Sequence, residues 1–173
     1  DKVDLWQFVS ESITIVKAHE YLFQDEYNDE KNIRVINVCQ NYRYQSIGYY
    51  VSLLAEARGH KVVPSVLSIQ DFKDLKLSSI LVQDIWADIQ SSLAKITSDE
   101  FILSVYFGRN TAKHYDKLAK KFMDIFNVPC FKIKFVRKKV WLIRKIEVIN
   151  LKDIPESHLP TLKSAAEDFF NKQ

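Results

Sequence analysis

Two polar loops follow apolar segments that the sequence predicts to be buried strands. The loop after Val38 carries Asn41, Arg43, Tyr44, Gln45 and Ser46, and the loop after Phe107 carries Arg109, Asn110 and Thr111. Each arginine is expected beside a helix N-terminus, where free backbone N–H groups and the positive end of the helix dipole favour an anion. A guanidinium adds a fork that matches a carboxylate or a phosphate. The sequence therefore predicts one anion or substrate site, shared by Arg43 and Arg109.

Each arginine also has a structural alternative. It can pair with a nearby acid such as Glu56 or Asp99, or lie over the rings of Tyr42 and Tyr44. Polar loops at this position in a fold often form sites, but a single arginine does not decide between the two interpretations. Both therefore stay open at the level of the sequence.

Signals for catalysis are sparse. No Walker or Rossmann glycine pattern occurs, and neither HExxH nor GxSxG is present. His114, one helical turn from the Arg109 loop, is a candidate acid or base, with a half-buried structural histidine as the alternative. Cys39 and Cys130 lack the spacing of a metal pair and are interpreted as small core residues. We therefore assign no catalytic residue and expect no metal site.

The elements that position the first loop form one continuous unit. Arg34 to Val38 reads as a strand, a helix with apolar residues at helical spacing begins near Tyr44, and Lys61 to Val66 reads as the next strand. Gly59 lies where a left-handed C-terminal cap would sit. This order is typical of a βαβ crossover.

The rest of the chain repeats the pattern of a strand, a loop and a helix. An irregular segment leads to a short strand at Ile13 to Val16, and the polar residues 24–32 read as a loop or a frayed helix end. After the second strand of that unit, a polar linker that includes Asp71, Lys73, Asp74 and Lys76 leads to Ser78. A second amphipathic helix covers Val82 to Leu93, with Trp86 expected against the sheet. The strand from Phe101 to Gly108 precedes a helix opened by Gly108 to Thr111. A hairpin and a last helix after IPESH follow. These elements predict an α/β fold with three layers: a mostly parallel sheet, an antiparallel hairpin at one edge, and helices on both faces.

The hairpin over residues 131–146 is strongly basic. It carries Lys132, Lys134, Arg137, Lys138, Lys139, Arg144 and Lys145 and no acid. Phe131, Phe135 and Trp141 alternate with these charges, as a surface that stacks RNA bases would require, but the same alternation fits a core-facing set. The pattern favours a solvated edge hairpin that lysines protect from edge pairing.

Composition bounds the class of protein. The chain has 173 residues, 47% of them hydrophobic, with 3 Gly and 4 Pro, which suits one compact domain over residues 1–173. No apolar run reaches the roughly 18 residues of a membrane-spanning helix, and no signal-type leader opens the sequence. A net charge of +3 argues against a surface built throughout for nucleic acid. We therefore expect a cytoplasmic protein without a membrane partner.

Four strings in order carry a resemblance to a known family: RVINVC, YRYQSIGYYVSLLAEARGHKVVPSV, DEFILSVYFGRN and IPESH. They resemble the N-terminal domain of RimK-like ATP-grasp ligases, the RLAN domain family, over most of the chain. The matching site candidates are Arg43, Tyr44, Ser46, Arg109 and Asn110. Gln40 stands where the family pattern often has a basic residue.

The resemblance implies a context for the domain. In such proteins it precedes an ATP-grasp module in cis, which joins a carboxylate to an amine with ATP and magnesium. That module would begin after Gln173, so this chain alone is expected to hold no cofactor and not to be catalytic. The implied role is an accessory domain that recognises an amino-acid or peptide substrate of the ligase, in peptide modification. The alternatives are an autonomous small enzyme using the same crevice, and a nucleic-acid or acidic-partner binder using the hairpin.

Overall fold

The computed structural model describes Trp6, residues 13–30 and residues 32–171. The described helices are α1 (Ala18–Phe23), α2 (Glu26–Asp29), α3 (Ile47–Ala57), α4 (Val66–Lys73), α5 (Leu75–Leu81), α6 (Trp86–Leu93), α7 (Asp116–Phe126) and α8 (Leu159–Asn171). The described strands are β1 (Arg34–Ile36), β2 (Lys61–Val63), β3 (Glu100–Tyr106), β4 (Cys130–Arg137) and β5 (Trp141–Val148). No helix in this part of the chain is long and apolar enough to span a bilayer.

The strands form two sheets of opposite kinds. β1 and β2 pair in parallel, with Val35 opposite Val62. β3, β4 and β5 form an antiparallel sheet in that order, so both of its pairings are antiparallel. The predicted α/β class and the hairpin of β4 and β5 are confirmed. The prediction of a mostly parallel sheet is wrong, because parallel pairing among the described strands is confined to β1 and β2.

The path of the chain after β3 explains the antiparallel pairing. The Asn110 side chain donates to the main-chain oxygen of Ser104 at 2.7 Å, and the ring of Tyr115 packs on Phe101 with centroids 5.0 Å apart. The loop after β3 therefore runs back along the strand to its start before α7 begins. Gly108 to Thr111 lie in this returning loop and not at the start of a helix, which corrects the sequence prediction.

α7 then carries the chain to the end of β3 from which it departed. Phe126 at the end of the helix packs on Phe131 at 5.9 Å, and the helix ends at Asn127, whose left-handed backbone has φ of 51°. The Phe107 N–H donates to the Pro129 oxygen at 2.7 Å. β4 thus begins beside the end of β3 and must run antiparallel to it.

The predicted βαβ unit is present, with different bounds. Ser46 caps α3 by accepting from the Tyr49 N–H, so the helix begins at Ile47 and not near Tyr44. Gly59 follows the helix with φ of 78°, the left-handed position expected from its place in the sequence. β2 ends at Val63, because Ser65 caps α4.

Other predictions for the outer elements need correction. The polar stretch after β2, interpreted as a linker, forms α4 and α5, since Ser65 and Asp74 each accept hydrogen bonds from the first turn of a helix. Residues Ile13 to Val16 form no strand, and the irregular segment predicted before them lies, apart from Trp6, outside the described residues. A short helix, α2, occupies part of the stretch 24–32.

The main core lies between the antiparallel sheet and the helices α4, α6 and α7. It is rich in aromatic side chains, and Phe122, Phe126, Phe131 and Phe135 are all at most 1% exposed. Trp86 is 38% exposed, so it does not anchor α6 as predicted. Ile89 and Leu93 fill that role, because both are fully buried on the inner face of α6.

Candidate functional site

The loop between β1 and α3 is built on one buried amide. The Asn37 side chain is 2% exposed and donates to the Gly48 oxygen at 2.7 Å and to the Ser52 hydroxyl at 2.9 Å. Its oxygen accepts from the Cys39 N–H at 3.1 Å, and its main-chain oxygen accepts from the Tyr42 hydroxyl at 2.6 Å. Asn37 therefore holds both ends of the loop against β1 and α3.

Gly48 makes the close approach of loop and helix feasible. A Cβ at this position would lie 2.2 Å from the Asn41 main-chain oxygen and 2.8 Å from the Cys39 Cβ. The first contact involves backbone, so no side-chain rotation would relieve it. Only glycine lets the loop lie directly on the first turn of α3.

The predicted residues of this loop lie together and face outward. The Asn41 carboxamide oxygen accepts from the Arg43 N–H at 3.2 Å, and the Ser46 N–H donates to the Arg43 oxygen at 2.8 Å. Gln45 closes the turn with φ of 65°, and Asn41, Arg43, Tyr44 and Gln45 are exposed. The local turn thus presents Arg43 near the N-terminus of α3, as the sequence predicts.

A second cation lies beside Arg43. The Lys73 ammonium, at the end of α4, donates to the main-chain oxygen of Tyr42. Burial lowers the pKa of Lys73, and the Arg43 guanidinium lowers it further because two like charges repel. Within the described residues, neither Arg43 nor Lys73 forms an ion pair with a carboxylate.

Aromatic side chains border this pair of cations. Tyr44 is 72% exposed, and its ring meets that of Tyr49 edge-on with centroids 5.4 Å apart. Tyr44, Tyr49 and Lys73 line an open groove of about 770 Å³ together with Ile69. Gln70, Asp74, Leu75 and Lys76 complete the lining. The groove therefore holds the charges of Lys73, Lys76 and Asp74 beside its aromatic wall, and Arg43 lies in the adjoining loop next to Tyr44.

Arg109 is in a different environment. Its guanidinium forms an ion pair with Asp168 of α8 and also donates to the Ser164 hydroxyl at 3.3 Å. Its main chain closes a turn with Tyr106, through hydrogen bonds of 2.8 and 2.9 Å. The arginine therefore has an acidic partner, although neither of the two acids suggested by the sequence.

Asn110 and Thr111, the other two site residues predicted in the Arg109 loop, differ in their exposure to solvent. The Asn110 side chain is buried and satisfied, since its amide donates to the main-chain oxygen of Ser104 and its side-chain oxygen accepts from the Ala112 N–H at 2.9 Å. Thr111 is exposed. None of the hydrogen bonds and ion pairs of the described residues joins the Arg109 loop to Arg43, and a shared anion site stays a prediction.

His114 lies in a short 3₁₀ turn, Lys113–Tyr115, before α7. It is exposed, and its ring packs on that of Tyr115 with centroids 3.9 Å apart. The half-buried histidine considered as an alternative is therefore not what the structure has. Nothing in its contacts assigns it a proton-transfer partner.

The basic hairpin has an aromatic face that is buried in the core and a charged face that carries the lysines and arginines. Phe131 and Phe135 are fully buried and Trp141 is 3% exposed, so these rings belong to the core and cannot stack on bases. Three of the cations have acidic partners, in the ion pairs Lys134 with Glu100, Arg137 with Asp99 and Lys145 with Glu147. The core-facing interpretation of the alternation is confirmed.

The two cysteines are poor nucleophiles. Burial raises the pKa of the Cys39 thiol to about 11, and burial raises that of Cys130 further. Among the described residues, no group of three His, Cys, Asp or Glu side chains is placed to hold a metal ion.

Sequence reasoning missed two residues of this site. Lys73 falls in a stretch whose composition predicts a polar linker, but the predicted pairing of β1 with β2 is a signal that brings the residues after β2 near the β1 loop. Asn37 was interpreted as part of a strand. An asparagine inside an apolar strand that leads into a polar loop is the signal that could have identified it.

Comparison with known proteins gives one match. No curated protein and no solved structure matches the chain. The sequence model of the RimK-like ATPgrasp N-terminal domain matches residues 18–165, which include β1, the loop with Arg43, α3 and the Arg109 turn. The chain therefore belongs to the RimK-like ATPgrasp N-terminal domain family.

Proposed function

We propose that this domain recognises an amino-acid or peptide substrate for an ATP-grasp ligase module in cis, and that it holds the substrate carboxylate between Arg43 and Lys73. The family supports the context of a ligase. The observation that carries the site is the hydrogen bond of the Lys73 ammonium to the main-chain oxygen of Tyr42, the residue before Arg43, while neither cation has a carboxylate partner among the described residues. ATP and magnesium belong to the ATP-grasp module in this proposal, and the ligase acts in the cytoplasm.

A carboxylate would relieve an unfavourable arrangement at this site. Two cations held close together raise the free energy of the unliganded domain, because each disfavours the charge of the other. A bound carboxylate attracts both, and its hydrogen bonds to charged donors are stronger than those to neutral ones. Arg43 lies near the N-terminus of α3, whose dipole adds to the attraction.

The surroundings suit an aromatic or long aliphatic side chain next to that carboxylate. Tyr44 and Tyr49 form one wall of the groove, and Ile69 adds an apolar surface. Asn41, Gln45 and Ser46 shape the loop that carries Arg43 and complete the proposed site. The Arg109 turn has no part in it, because Asp168 already neutralises that guanidinium.

Binding of a simple dipeptide tests the proposal. Glycyl-phenylalanine supplies a carboxylate and an apolar ring, and its C-terminal amide lacks only the charge. We expect the free acid to bind at least about tenfold more tightly than the amide, because a charge-assisted hydrogen bond contributes about 1.5–3 kcal/mol.

Variants connect that preference to the two cations. Arg43→Gln and Lys73→Gln should each remove most of the preference for the free acid. Lys138→Gln, which removes an exposed charge from the turn between β4 and β5, is the matched control and should leave it unchanged. Equal affinities for acid and amide in the unsubstituted domain would overturn the site.

A further inference from the structure

Along one edge of β1, main-chain hydrogen-bonding groups have no partner among the described residues. The Lys61 N–H donates to the Ile33 oxygen at 3.0 Å and the Asn37 N–H donates to the Val63 oxygen at 2.8 Å. With Val35 opposite Val62, the groups of Ile33, Val35 and Asn37 therefore face β2. Arg34 and Ile36 lie between them and point their main-chain groups to the other side, and Val38 follows Asn37 in the same alternation, just beyond β1.

These outward groups belong to Arg34, Ile36 and Val38. None of the three makes a main-chain hydrogen bond in the part of the chain that the structure describes. Ile36 and Val38 are half-buried. Three N–H and three C=O groups at intervals of two residues are the template on which an extended chain adds as a strand.

The free edge faces a groove of about 1140 Å³. Its walls are largely apolar: Ile13, Ile15 and Val16 come from the segment before α1, and Leu151, Phe169 and Phe170 come from the other end of the chain. The groove reaches Gln40 and Asn41 in the loop that leads to Arg43. It therefore has room for several residues of an extended chain beside β1, with apolar side chains against both walls.

The charged residues of the groove have both signs. Arg34 and Lys152 line it, as do Glu26 and Glu30, and none of these four has an ion pair among the described residues. A short peptide with free termini carries one positive and one negative charge. Its amino group is complementary to Glu26 and Glu30, which leaves its carboxylate for Arg43 and Lys73, where the proposed function places it.

We propose that β1 binds a short extended peptide with free termini and aliphatic side chains, which adds as a strand along Arg34, Ile36 and Val38. This inference rests on the proposed function, since the peptide is then the substrate that the domain presents to the ligase module. It specifies the substrate as a peptide recognised through its main chain. Main-chain bonds give affinity in this mode and leave side-chain choice to the walls of the groove.

Amide hydrogen exchange by NMR on the whole 173-residue chain tests the inference. The probe is the pentapeptide threonyl-valyl-threonyl-valyl-threonine with free termini. Without it, the Ile36 and Val38 amides should exchange much faster than those of Val35 and Asn37, which bond to β2. At saturating peptide, exchange at Ile36 and Val38 should slow by about tenfold or more, while Val35 and Asn37 change little.

Two further comparisons make the result specific to main-chain pairing. The same peptide N-methylated at all four of its peptide nitrogens lacks amide donors on both of its edges and should give no protection. Ile36→Pro removes one outward N–H and spares the bonds to β2. Its matched control, Ile36→Ala, loses the side chain alone. We expect the proline variant to bind the pentapeptide at least about tenfold more weakly than the alanine variant.

Other occupants of the edge would overturn the inference. Protection of Ile36 and Val38 without peptide, independent of protein concentration, would mean that another segment of the same chain covers the edge. Protection that grows with protein concentration would mean that a second copy covers it. Unchanged exchange of Ile36 and Val38 at millimolar pentapeptide would also overturn the inference. Exchange at β1 is measured separately from the carboxylate site, which is tested by the binding of glycyl-phenylalanine near Lys73.

Discussion

The hydroxyl of Tyr42 donates a hydrogen bond to the main-chain oxygen of Asn37 at 2.6 Å, and both residues are buried. This bond ties the loop with Arg43 to the end of β1. The main-chain oxygen of Tyr42 in turn accepts from the Lys73 ammonium, so the same residue connects the loop to α4. The position of the two cations therefore depends on the buried pair Asn37 and Tyr42.

Asn37→Ala should reduce the free energy of unfolding by about 2–3 kcal/mol, because it leaves the Gly48 oxygen and the Cys39 N–H without their partner. Chemical denaturation measures the change. Gln40→Ala, an exposed substitution in the same loop, is the control and should change stability by less than about 0.5 kcal/mol. Equal stability of the two variants would contradict the role of Asn37.

Arg109→Ala should leave the affinity for glycyl-phenylalanine within about twofold, because the guanidinium is held by Asp168. The stability cost should also be small, at about 0–1 kcal/mol, since both side chains are about 40% exposed. Calorimetric titration compares this variant with Arg43→Gln. A tenfold loss of affinity on Arg109→Ala would instead support the site shared by the two arginines that the sequence predicts.

Asp88 should make stability depend on pH in the acid range. A hydrogen bond from Lys121 and the charge of that lysine lower the pKa of Asp88 below its ordinary value of 3.8. A carboxyl whose pKa is lowered by folding stabilises the fold above the unfolded-state pKa, and the contribution is lost as pH falls through the folded pKa.

The measurement compares the parent with Asp88→Asn by denaturation at several pH values. The parent should be more stable at neutral pH, and the difference should shrink as pH falls below about 4. Asp124→Asn, which removes an exposed acid of α7 paired only with Lys120 on the same helix, is the control. A difference that stays constant down to pH 2 would contradict the ion pair.

Local signals in the sequence predicted α3 and the hairpin of β4 and β5, but not α4 and α5, although their caps Ser65 and Asp74 are themselves local signals. The apolar spacing of α3 and the position of Gly59 identified that helix and its left-handed end, because both depend on neighbouring residues alone. The alternation in β4 and β5 identified the hairpin for the same reason. The loop with Arg43 was also placed correctly between β1 and α3.

Contacts between residues far apart along the chain could not be predicted from the sequence pattern. A strand, a loop and a helix in succession do not tell which way the connection runs, so the return of the loop after β3 along Phe101 could not be anticipated. Arg109 meets Asp168 because α8 packs near that turn, and 59 residues separate the two along the chain. Lys73 reaches the loop of Arg43 because α4 forms in the stretch whose composition predicts a polar linker, and the last residue of that helix bonds to the main-chain oxygen of Tyr42.

The pKa of the Lys73 ammonium tests the carboxylate site most directly. It can be followed by the chemical shift of the Lys73 Cε in the free domain and with saturating glycyl-phenylalanine. Without ligand, the pKa should lie below the ordinary value of 10.5, because of burial and the charge of Arg43. The bound carboxylate should raise it, and the C-terminal amide should not. A Lys73 pKa that is the same with and without the free acid would contradict a substrate carboxylate held between Arg43 and Lys73.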